Sequence, residues 1–282
     1  MIIWLASYPK SGNTWLRSMI ASYFYTNTGE FNFGLLNHID QFPSFTHFRN
    51  YKDTFEKPES TSKYWIDAQR KINQDKKIKF LKTHNALCKI ENSIFTDQQN
   101  TLGAIYIIRD PRNLITSLKN HYELDYNQAL KFMISDKKFI YDYREKNDYS
   151  DFQFISSWEK NFMSWKNQKI FPVKIIKYEN LLDKTYAVFE DLIKFINNVT
   201  NNNQSINKKR LKNSINSSSF EKLKDYENKF GFSESIKSKN YNKAIPFFHL
   251  GPNNDWKKIL EDDLKKKLNV TFNKSLKFFS YI

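Results

Sequence analysis

The sequence predicts an α/β fold, in which one domain is built around a central, mainly parallel β-sheet with helices on both of its faces. Two observations favour this class. Short apolar runs alternate along the chain with longer segments of helical periodicity, which is typical of parallel strands joined by helices. The length of 282 residues and the aromatic content of 17% supply enough apolar material for one large core.

The first third of the chain predicts a strand, a loop, a helix and a second strand. Ile2–Ser7 is a short apolar run that ends at a Tyr-Pro pair, as a buried strand does. Apolar residues then recur with a helical period over residues 14–25, and Gly12 lies in the loop between these two elements. Residues 78–81 form the second predicted strand.

The rest of the chain continues the alternation. Further strands are predicted at residues 103–108 and 173–176. Helices are predicted at residues 114–124, 152–168, 185–197 and 255–268. Residues 197–209 are polar and rich in Asn, and we interpret them as a surface loop because too few residues follow for a second core. The whole chain, residues 1–282, is therefore expected to form one domain.

The net charge of the chain is strongly positive, and the sequence leaves two explanations for this charge open. Lys and Arg number 45 against 30 Asp and Glu, which gives a net charge of +15. A basic surface suits a polyanionic partner such as nucleic acid, a nucleotide or an acidic membrane. Only 7 of the basic residues are Arg, however, and Lys, Asn, Ile, Phe and Tyr are abundant together, as AT-rich genomes favour. Compositional drift therefore explains the charge equally well.

Cysteine usage and the apolar runs predict where the protein resides. The one cysteine, Cys88, cannot form an intramolecular disulfide, so a reducing compartment, the cytoplasm, is expected. The apolar start of the chain is short for a signal peptide and is interrupted by Pro9 and Lys10. No apolar stretch approaches the roughly 18 residues of a membrane-spanning helix.

The segment YPKSGNTW, residues 8–15, lies where the first strand gives way to the first helix. Unpaired backbone N–H groups at a helix N-terminus favour an anion. Lys10 adds a positive charge, Ser11 and Thr14 add hydroxyl donors, and Gly12 lets the backbone approach a ligand closely. The segment predicts a phosphate-binding loop, although an ordinary strand–loop–helix turn remains the alternative. It is not a Walker A motif, which places its lysine after a second glycine.

A second segment, IYIIRDPRNLITS, spans residues 105–117. Arg109 lies at the carboxyl end of a predicted strand, where open α/β sheets bind ligands. Ser117 follows on the next helix, and a guanidinium and a hydroxyl could hold one phosphate together. The alternative is that Arg109 pairs with Asp110 or Asp125.

A third segment, the KTH triplet at residues 82–84, also follows a predicted strand. A histidine in that position can take a proton from an acceptor hydroxyl, although a lone histidine is often structural. The other histidines lie in no comparable motif: His38, His47, His121 and His249. The His, Cys, Asp and Glu residues show no metal-ligand spacing, and no metal is expected.

These three segments, in this order, resemble the motifs of the sulfotransferases that use 3′-phosphoadenosine 5′-phosphosulfate (PAPS) as sulfate donor. YPKSGNTW resembles that family's P-loop-like element for the 5′-phosphosulfate, and RDPRNLITS resembles its 3′-phosphate segment. KTH resembles the catalytic-histidine segment of the cytosolic branch. Three later segments extend the resemblance over nearly the whole chain: KYEN at 177–180 near the adenine, SSF at 218–220 against the adenine and the 3′-phosphate, and GPNNDW at 251–256 as the closing C-terminal loop.

The resemblance implies a role for each matching residue. His84 would be the general base on the acceptor, Lys10 would stabilise the leaving phosphate oxygen, and Lys82 would help to neutralise the sulfuryl oxygens. The residues implied to bind the donor are Lys10, Ser11, Gly12, Asn13, Thr14, Trp15, Arg109, Ser117, Tyr178, Ser218, Phe220, His249, Leu250 and Gly251. The implied product is 3′,5′-adenosine bisphosphate (PAP), and the transfer needs no metal.

The chain departs from the family pattern near its C-terminus. The family's C-terminal loop usually carries Arg-Lys-Gly, whereas this chain has His249, Leu250 and Gly251, so two cations near the 3′-phosphate are missing. The family's Gly-Asp-Trp reads Asn-Asp-Trp at residues 254–256. The short dimer motif that follows in cytosolic members is absent, and we expect a monomer or a different dimer.

The acceptor is left open by the sequence. The aromatic residues between the first helix and KTH, where the family builds its acceptor pocket, are Phe31, Phe33, Phe42, Phe45, Phe48 and Tyr51. Such rings could cover an aromatic alcohol, a lipid alcohol or a sugar, and they could equally belong to the core. We expect a hydroxyl on a small molecule, lipid or carbohydrate, with an amine as the second option. A histidine base favours the cytosolic type over the Golgi carbohydrate enzymes.

Two other functions would need sequence features that this chain lacks. A nucleotide kinase of related fold would need the Walker A motif, which is missing. A nucleic-acid-binding protein would need a basic stripe with interleaved aromatic residues. The lysine clusters at 208–210 and 265–267 are better interpreted as solvated surfaces, so no nucleic-acid partner is expected.

Overall fold

A computed structural model describes residues 1–141, 148–238 and 243–282 of the chain. The strands in these ranges are β1 (Ile2–Ser7), β2 (Lys79–Thr83), β3 (Lys89–Ile90), β4 (Ser93–Ile94), β5 (Thr101–Ile108), β6 (Phe139–Ile140), β7 (Gln153–Phe154) and β8 (Val173–Lys177). The α-helices are α1 (Asn13–Tyr25), α2 (Phe45–Phe48), α3 (Pro58–Ser62), α4 (Trp65–Ile72), α5 (Pro111–Tyr122), α6 (Tyr126–Ile134), α7 (Trp158–Asn167), α8 (Tyr178–Asp183), α9 (Thr185–Val199), α10 (Lys208–Ser217), α11 (Phe220–Phe230), α12 (Trp256–Ile259), α13 (Asp262–Thr271) and α14 (Asn273–Phe278). Short 3-10 helices lie at Phe33–His38, Asn73–Asp75 and Gly251–Asn253.

Four strands form one parallel sheet in the order β2–β1–β5–β8. Ala6 of β1 lies between Thr83 of β2 and Tyr106 of β5, and Ile108 of β5 lies beside Lys177 of β8. All four strands therefore end at the same edge, and the segments that follow them meet there. The other strands form two small antiparallel pairs, β3 with β4 and β6 with β7.

The core lies on both faces of this sheet. Trp4 and Ala6 of β1 belong to one buried cluster, which also contains apolar residues of α5 and α7. Ile3 and Leu5 belong to a second cluster, with apolar residues of α1 and α9. Because successive strand side chains point to opposite faces, a strand covered on both faces is apolar throughout. The predicted α/β class, with helices on both faces of a parallel sheet, is confirmed.

Three predicted boundaries differ from the structure. The helix predicted at 152–168 begins at Trp158, because residues 153–154 form β7 and the Ser157 hydroxyl caps the helix by accepting a bond from the Lys160 N–H at 3.4 Å. The helix predicted at 255–268 is divided into α12 and α13 by the extended backbone at Leu260 and Glu261. Two acidic residues open α13, where the helix dipole favours negative charge. The Asn-rich loop is shorter than predicted and spans residues 200–207.

In the ranges that the structure describes, none of the helices combines the length and the apolar character needed to cross a membrane.

Candidate active site

A cavity of about 740 Å³ opens at the carboxyl edge of the sheet. Its wall includes residues that directly follow each of the four parallel strands: Lys10 after β1, His84 after β2, Arg109 after β5 and Tyr178 after β8. The start of α11 and the segment 247–252 supply the opposite wall. The topology explains this location, since parallel strands deliver their following loops to one edge.

The structure brings the residues singled out by sequence together around this cavity, with two exceptions. Those that line it are Lys10, Gly12, Asn13, Thr14, Trp15, Lys82, His84, Arg109, Ser117, Tyr178, Phe220, His249, Leu250 and Gly251. Ser11 and Ser218 are not part of the lining, and their buried hydroxyls have no hydrogen-bond partner within the described chain. A buried hydroxyl without a partner is costly, so both positions suit a polar ligand.

The loop between β1 and α1 is tightly wound. Lys10 and Gly12 both have positive φ, at 66° and 98°. A Cβ atom on Gly12 would lie 2.5 Å from Cδ2 of Tyr178, so this position has no room for a side chain. Gly12 is also the N-cap residue of α1 and offers no side-chain acceptor to the first turn. The N-terminus of α1 therefore faces the cavity without a side-chain cap, as an anion-binding loop requires.

Arg109 is held in place by three neighbours. Its Nη1 atom donates to the carbonyl oxygen of Lys10 at 3.2 Å and to the Ser117 hydroxyl at 3.3 Å. Its guanidinium carbon lies 4.2 Å from the centre of the Tyr178 ring. The Nε atom of Arg109 is buried without a partner. Asp110 pairs with Arg112 at 2.7 Å instead of with Arg109. The Arg109 guanidinium thus keeps a donor for an anion.

The contacts of His84 determine which of its ring nitrogens can act as a base. The Nδ1 atom lies 2.8 Å from the main-chain oxygen of Ser7 and 3.1 Å from the Ser7 hydroxyl. Because a carbonyl oxygen can only accept, Nδ1 carries the proton, and Nε2 is left with a free lone pair. The main-chain N–H of His84 donates to Oε1 of Gln153 at 2.7 Å, which fixes the residue further.

Burial keeps His84 neutral. It lowers the pKa of His84 to about 3, and the nearby positive charge of Lys82 acts in the same direction. The side chain of Asn13 also fixes the position of Ser7. Its Nδ2 atom donates to the Ser7 hydroxyl at 3.1 Å and to the Leu5 carbonyl at 2.9 Å. The end of β1, the start of α1 and the imidazole are therefore tied together.

Two lysines lie in the cavity wall with altered pKa values. Burial lowers the pKa of Lys10 to about 7, and the positive charges of Lys82 and Arg109 add to this effect. The Lys10 ammonium lies 3.3 Å from the centre of the Phe247 ring and 3.5 Å from Nδ1 of His121. Burial also lowers the pKa of Lys82, whose ammonium pairs with Oε1 of Glu234 at 3.0 Å.

Sequence reasoning missed three residues that contact Lys10 or Lys82 in this site. Glu234, His121 and Phe247 all line the cavity. His121 lies one helical turn beyond Ser117 on α5, so helical spacing could have indicated it. Glu234 and Phe247 lie in no recognisable motif. They follow α11, and only the fold of this later segment brings them to the cavity.

The aromatic end of the cavity is closely packed. The rings of Trp15 and Tyr178 meet edge to face, 5.7 Å apart. Gly251 has a φ of 54°, and a Cβ atom there would lie 2.4 Å from the Phe220 ring, so the C-terminal loop rests directly on that ring. Burial, together with the charges of Lys224 and Lys119, lowers the pKa of His249. Of these two, the Lys224 ammonium lies 5.9 Å from the centre of the Phe220 ring, on which the loop with the missing Arg-Lys pair rests.

The aromatic residues proposed for the acceptor pocket lie elsewhere. None of the six between Phe31 and Tyr51 is in the wall of the cavity, and Phe31, Phe42 and Phe48 are buried in the core. The described wall also includes Gln41, Tyr122, Ile140, Tyr141, Asp151 and Gln153, of which Gln153 contacts His84 directly. A search of the described ranges finds no group of three or more His, Cys, Asp and Glu residues that could hold a metal ion.

Comparisons with known proteins agree with this geometry. The model of the sulfotransferase domain family matches residues 2–280. Luciferin sulfotransferase from Photinus pyralis is 23% identical over 288 residues, which cover 99% of this chain and 72% of that protein.

Two solved structures share the fold of this chain. A mouse sulfotransferase complexed with PAP superposes with a TM-score of 0.56 at 19% identity, covering 98% of this chain and 84% of that one. Retinol dehydratase in a complex with retinol and PAP superposes with a TM-score of 0.58 at 14% identity, covering 98% and 81%. At these identities, the superpositions establish the fold.

Proposed function

We propose, because this chain belongs to the sulfotransferase domain family, that its cavity moves a sulfuryl group from PAPS to the hydroxyl of a small acceptor, with His84 as general base. One observation carries the proposal most directly. The Ser7 carbonyl holds the proton on Nδ1 of His84, so that Nε2 is free to accept one, and Lys10 and Lys82 line the same cavity.

The donor is proposed to bind across the edge of the sheet. The Ser11 hydroxyl, Nε of Arg109 and the Ser218 hydroxyl are all buried without partners, which is the pattern expected of residues that hold an anionic ligand. Arg109, Ser117 and Ser218 would bind the 3′-phosphate, and the loop at residues 8–15 would bind the 5′-phosphosulfate. Trp15, Tyr178 and Phe220 would surround the adenine.

Each residue around the reacting atoms has a separate proposed role. Nε2 of His84 accepts the acceptor's proton while the acceptor oxygen forms its bond to sulfur and the bond between sulfur and the phosphate oxygen breaks. Lys10 meets the negative charge that grows on that leaving oxygen, and Lys82 neutralises the sulfuryl oxygens. PAPS supplies the activated sulfuryl group, and PAP leaves as the product.

The charge arrangement couples base strength to donor binding. Burial, Lys82 and Lys10 together depress the pKa of His84, so the imidazole by itself is a weak base. A polyanionic donor places negative charge beside both lysines and offsets their effect on His84. His84 is therefore expected to become a stronger base when the donor is in place.

The acceptor is proposed to be an alcohol or phenol on an apolar, ring-bearing small molecule. Tyr122, Ile140 and Tyr141 give the cavity wall an apolar surface, while Gln41 and Gln153 add amide groups for orientation. The related proteins named above include a luciferin sulfotransferase and a retinol dehydratase, which agrees with this acceptor class.

The test is sulfate transfer from radiolabelled PAPS to a panel of phenols, sterols, retinoid alcohols, sugars and amines. We expect labelled product with at least one alcohol or phenol, and calorimetric binding of PAP in preference to ATP. Equal binding of ATP together with phosphoryl transfer would favour a kinase of related fold. Transfer confined to sugars would contradict the proposed acceptor class but not the reaction.

A further inference from the structure

Glu234 occupies a position in the cavity where three hydrogen-bond donors converge. Its Oε1 atom accepts from Nη2 of Arg17 at 2.6 Å and from Nζ of Lys82 at 3.0 Å, and its Oε2 atom accepts from the Thr14 hydroxyl at 3.1 Å. Glu234 lines the cavity, whereas Arg17 lies behind it. The carboxylate therefore covers Arg17 from the cavity side.

The three donors form a built anion site. The side chains of Arg17 and Lys82 are each only 6% exposed. Two buried cations this close together need an anion between them. Nε of Arg17 is buried and has no partner, so Glu234 leaves this guanidinium incompletely bonded. Although burial would raise its pKa, the positive charges of Arg17 and Lys82 keep the pKa of Glu234 well below its usual range, and the carboxylate is ionised.

The position of this anion matches the reacting centre of the proposed function. Thr14 lies in the loop proposed to hold the 5′-phosphosulfate, and Lys82 is the residue proposed to neutralise the sulfuryl oxygens. The negative charge of Glu234 also raises the pKa of both Lys10 and His84, so the carboxylate lies within electrostatic reach of the two residues proposed to act on the transferred group.

We propose that Thr14, Arg17 and Lys82 form the binding site for the sulfuryl group of PAPS, and that Glu234 fills this site in the present structure. Arg17 is thereby a further substrate-binding residue. A carboxylate and a sulfuryl group both present oxygen atoms to hydrogen-bond donors, and they cannot occupy the same place. The Glu234 carboxylate must therefore leave this position when PAPS binds. This inference rests on the proposed function.

The difference between PAPS and PAP provides the test, because PAP lacks the sulfuryl group. Calorimetric titration of both nucleotides, without acceptor, is compared for the wild type, Glu234→Gln and Arg17→Lys. For Glu234→Gln we expect PAPS to bind about tenfold more tightly, since a competing anion is removed, with PAP affinity unchanged within about twofold. For Arg17→Lys, which keeps the charge but loses the fork of donors, we expect PAPS to bind about tenfold more weakly and PAP as before.

Glu221→Gln is the matched control, because Glu221 also lines the cavity and the change removes the same charge. It should leave the ratio of PAPS to PAP affinity at the wild-type value. If Glu234→Gln shifts PAPS and PAP equally, or shifts neither, the sulfuryl assignment is wrong even though the wild type binds both nucleotides. If the wild type binds neither nucleotide, the proposed function itself fails. The two variants test the site independently, should one of them not fold.

Discussion

His84 depends on one main-chain contact for its proposed chemistry. Since Nδ1 donates to the Ser7 carbonyl, only Nε2 can accept a proton from the acceptor. We expect His84→Ala to lower kcat by about 10²–10⁴-fold and to leave PAP affinity nearly unchanged. Steady-state kinetics and calorimetry with PAP check the two halves of this prediction.

His38→Ala is the control for this variant. His38 stacks on Tyr25, with ring centres 4.7 Å apart, and does not line the cavity, so kcat should stay at the wild-type value. Wild-type turnover in His84→Ala, under conditions where chemistry limits the rate, would remove His84 from the mechanism.

The lowered pKa of Lys10 predicts how kcat/KM for PAPS changes with pH. Its pKa is lowered to about 7, so the ammonium is charged below that pH and becomes neutral above it. Because the charged form binds the donor, kcat/KM for PAPS should be highest below pH 7 and fall as the pH rises through 7. The profile of kcat/KM against pH measures this decline.

In Lys10→Arg the guanidinium stays charged over the whole range, so the decline near pH 7 should disappear. A decline that persists unchanged in Lys10→Arg would assign it to another group.

At the residue scale, sequence reasoning identified residues that belong to motifs and missed those that do not. Lys10, His84 and Arg109 each follow a strand and could be recognised from local sequence. Glu234 follows α11 and meets Lys82 only because the chain returns across the cavity. A contact between residues so far apart in sequence leaves no periodic or local signal.

Among the helices and loops, we expect two lysines to replace the missing pair of cations. Lys224 on α11 and Lys119 on α5 both act on the pKa of His249, which stands where the family has arginine. We expect Lys224→Ala to weaken PAP binding about tenfold, since a charged contact to a phosphate is worth roughly 1.5–3 kcal/mol. Calorimetry with PAP measures the change.

Lys257→Ala is the matched control, because Lys257 on α12 carries the same charge but is not among the charges that act on the pKa of His249. It should bind PAP as the wild type does. If Lys257→Ala weakens binding and Lys224→Ala does not, the replacement cation has been misassigned.

The β1–α1 loop depends on Gly12 for two reasons that can be separated. Gly12→Ala introduces a Cβ at positive φ and also places it 2.5 Å from the Tyr178 ring, which supports Arg109. We expect both a lower Tm and a loss of PAP affinity of about tenfold or more, because the displaced ring misplaces the guanidinium. Thermal unfolding and calorimetry measure the two effects.

Gly231→Ala separates the two causes. Gly231 also has positive φ, at 72°, but a Cβ there would meet no atom within 4 Å. This variant should lower the Tm by backbone strain alone and leave PAP affinity as it was. Equal losses of PAP affinity in the two variants would contradict the role given to Tyr178.

Element boundaries were harder to predict than element types. The apolar periodicity predicted helix over residues 152–157 and 260–261. In the structure, these residues contain β7 and an extended segment instead. The Ser157 cap of α7 and the acidic first turn of α13 mark the true boundaries. These are local polar interactions, and a search for apolar periodicity does not register them.

At the scale of the whole molecule, the cavity joins segments from every strand of the parallel sheet and from the C-terminal part of the chain. A ligand that bridges them stabilises the native state by about 2.7 kcal/mol at a concentration of 100 times its Kd. For a chain of this size we expect PAP to raise the Tm by about 5 °C. The shift should be the same with EDTA present, and loss of the shift in EDTA would show that a metal takes part.

The global architecture was the most predictable feature. The continuous apolar run of β1 required burial on both faces, and the alternation of strands and helices required a parallel sheet. The location of the site at the carboxyl edge followed from that topology. The strand order and the cavity wall opposite the sheet did not follow from the topology. They depend on contacts between α11, the C-terminal loop and α1 that no short segment encodes.

The placement of Trp15 gives the molecule a built-in optical reporter. Of the six tryptophans, Trp4, Trp65, Trp158 and Trp165 are at most 1% exposed in the core, and Trp256 lies against Arg112. Trp15 alone lines the described cavity, with its ring beside Tyr178. Nucleotide entering the cavity changes the surroundings of this indole and leaves the four core indoles as a constant background. Intrinsic fluorescence can therefore follow binding in stopped-flow mixing without any attached dye, and Trp15→Phe supplies the blank.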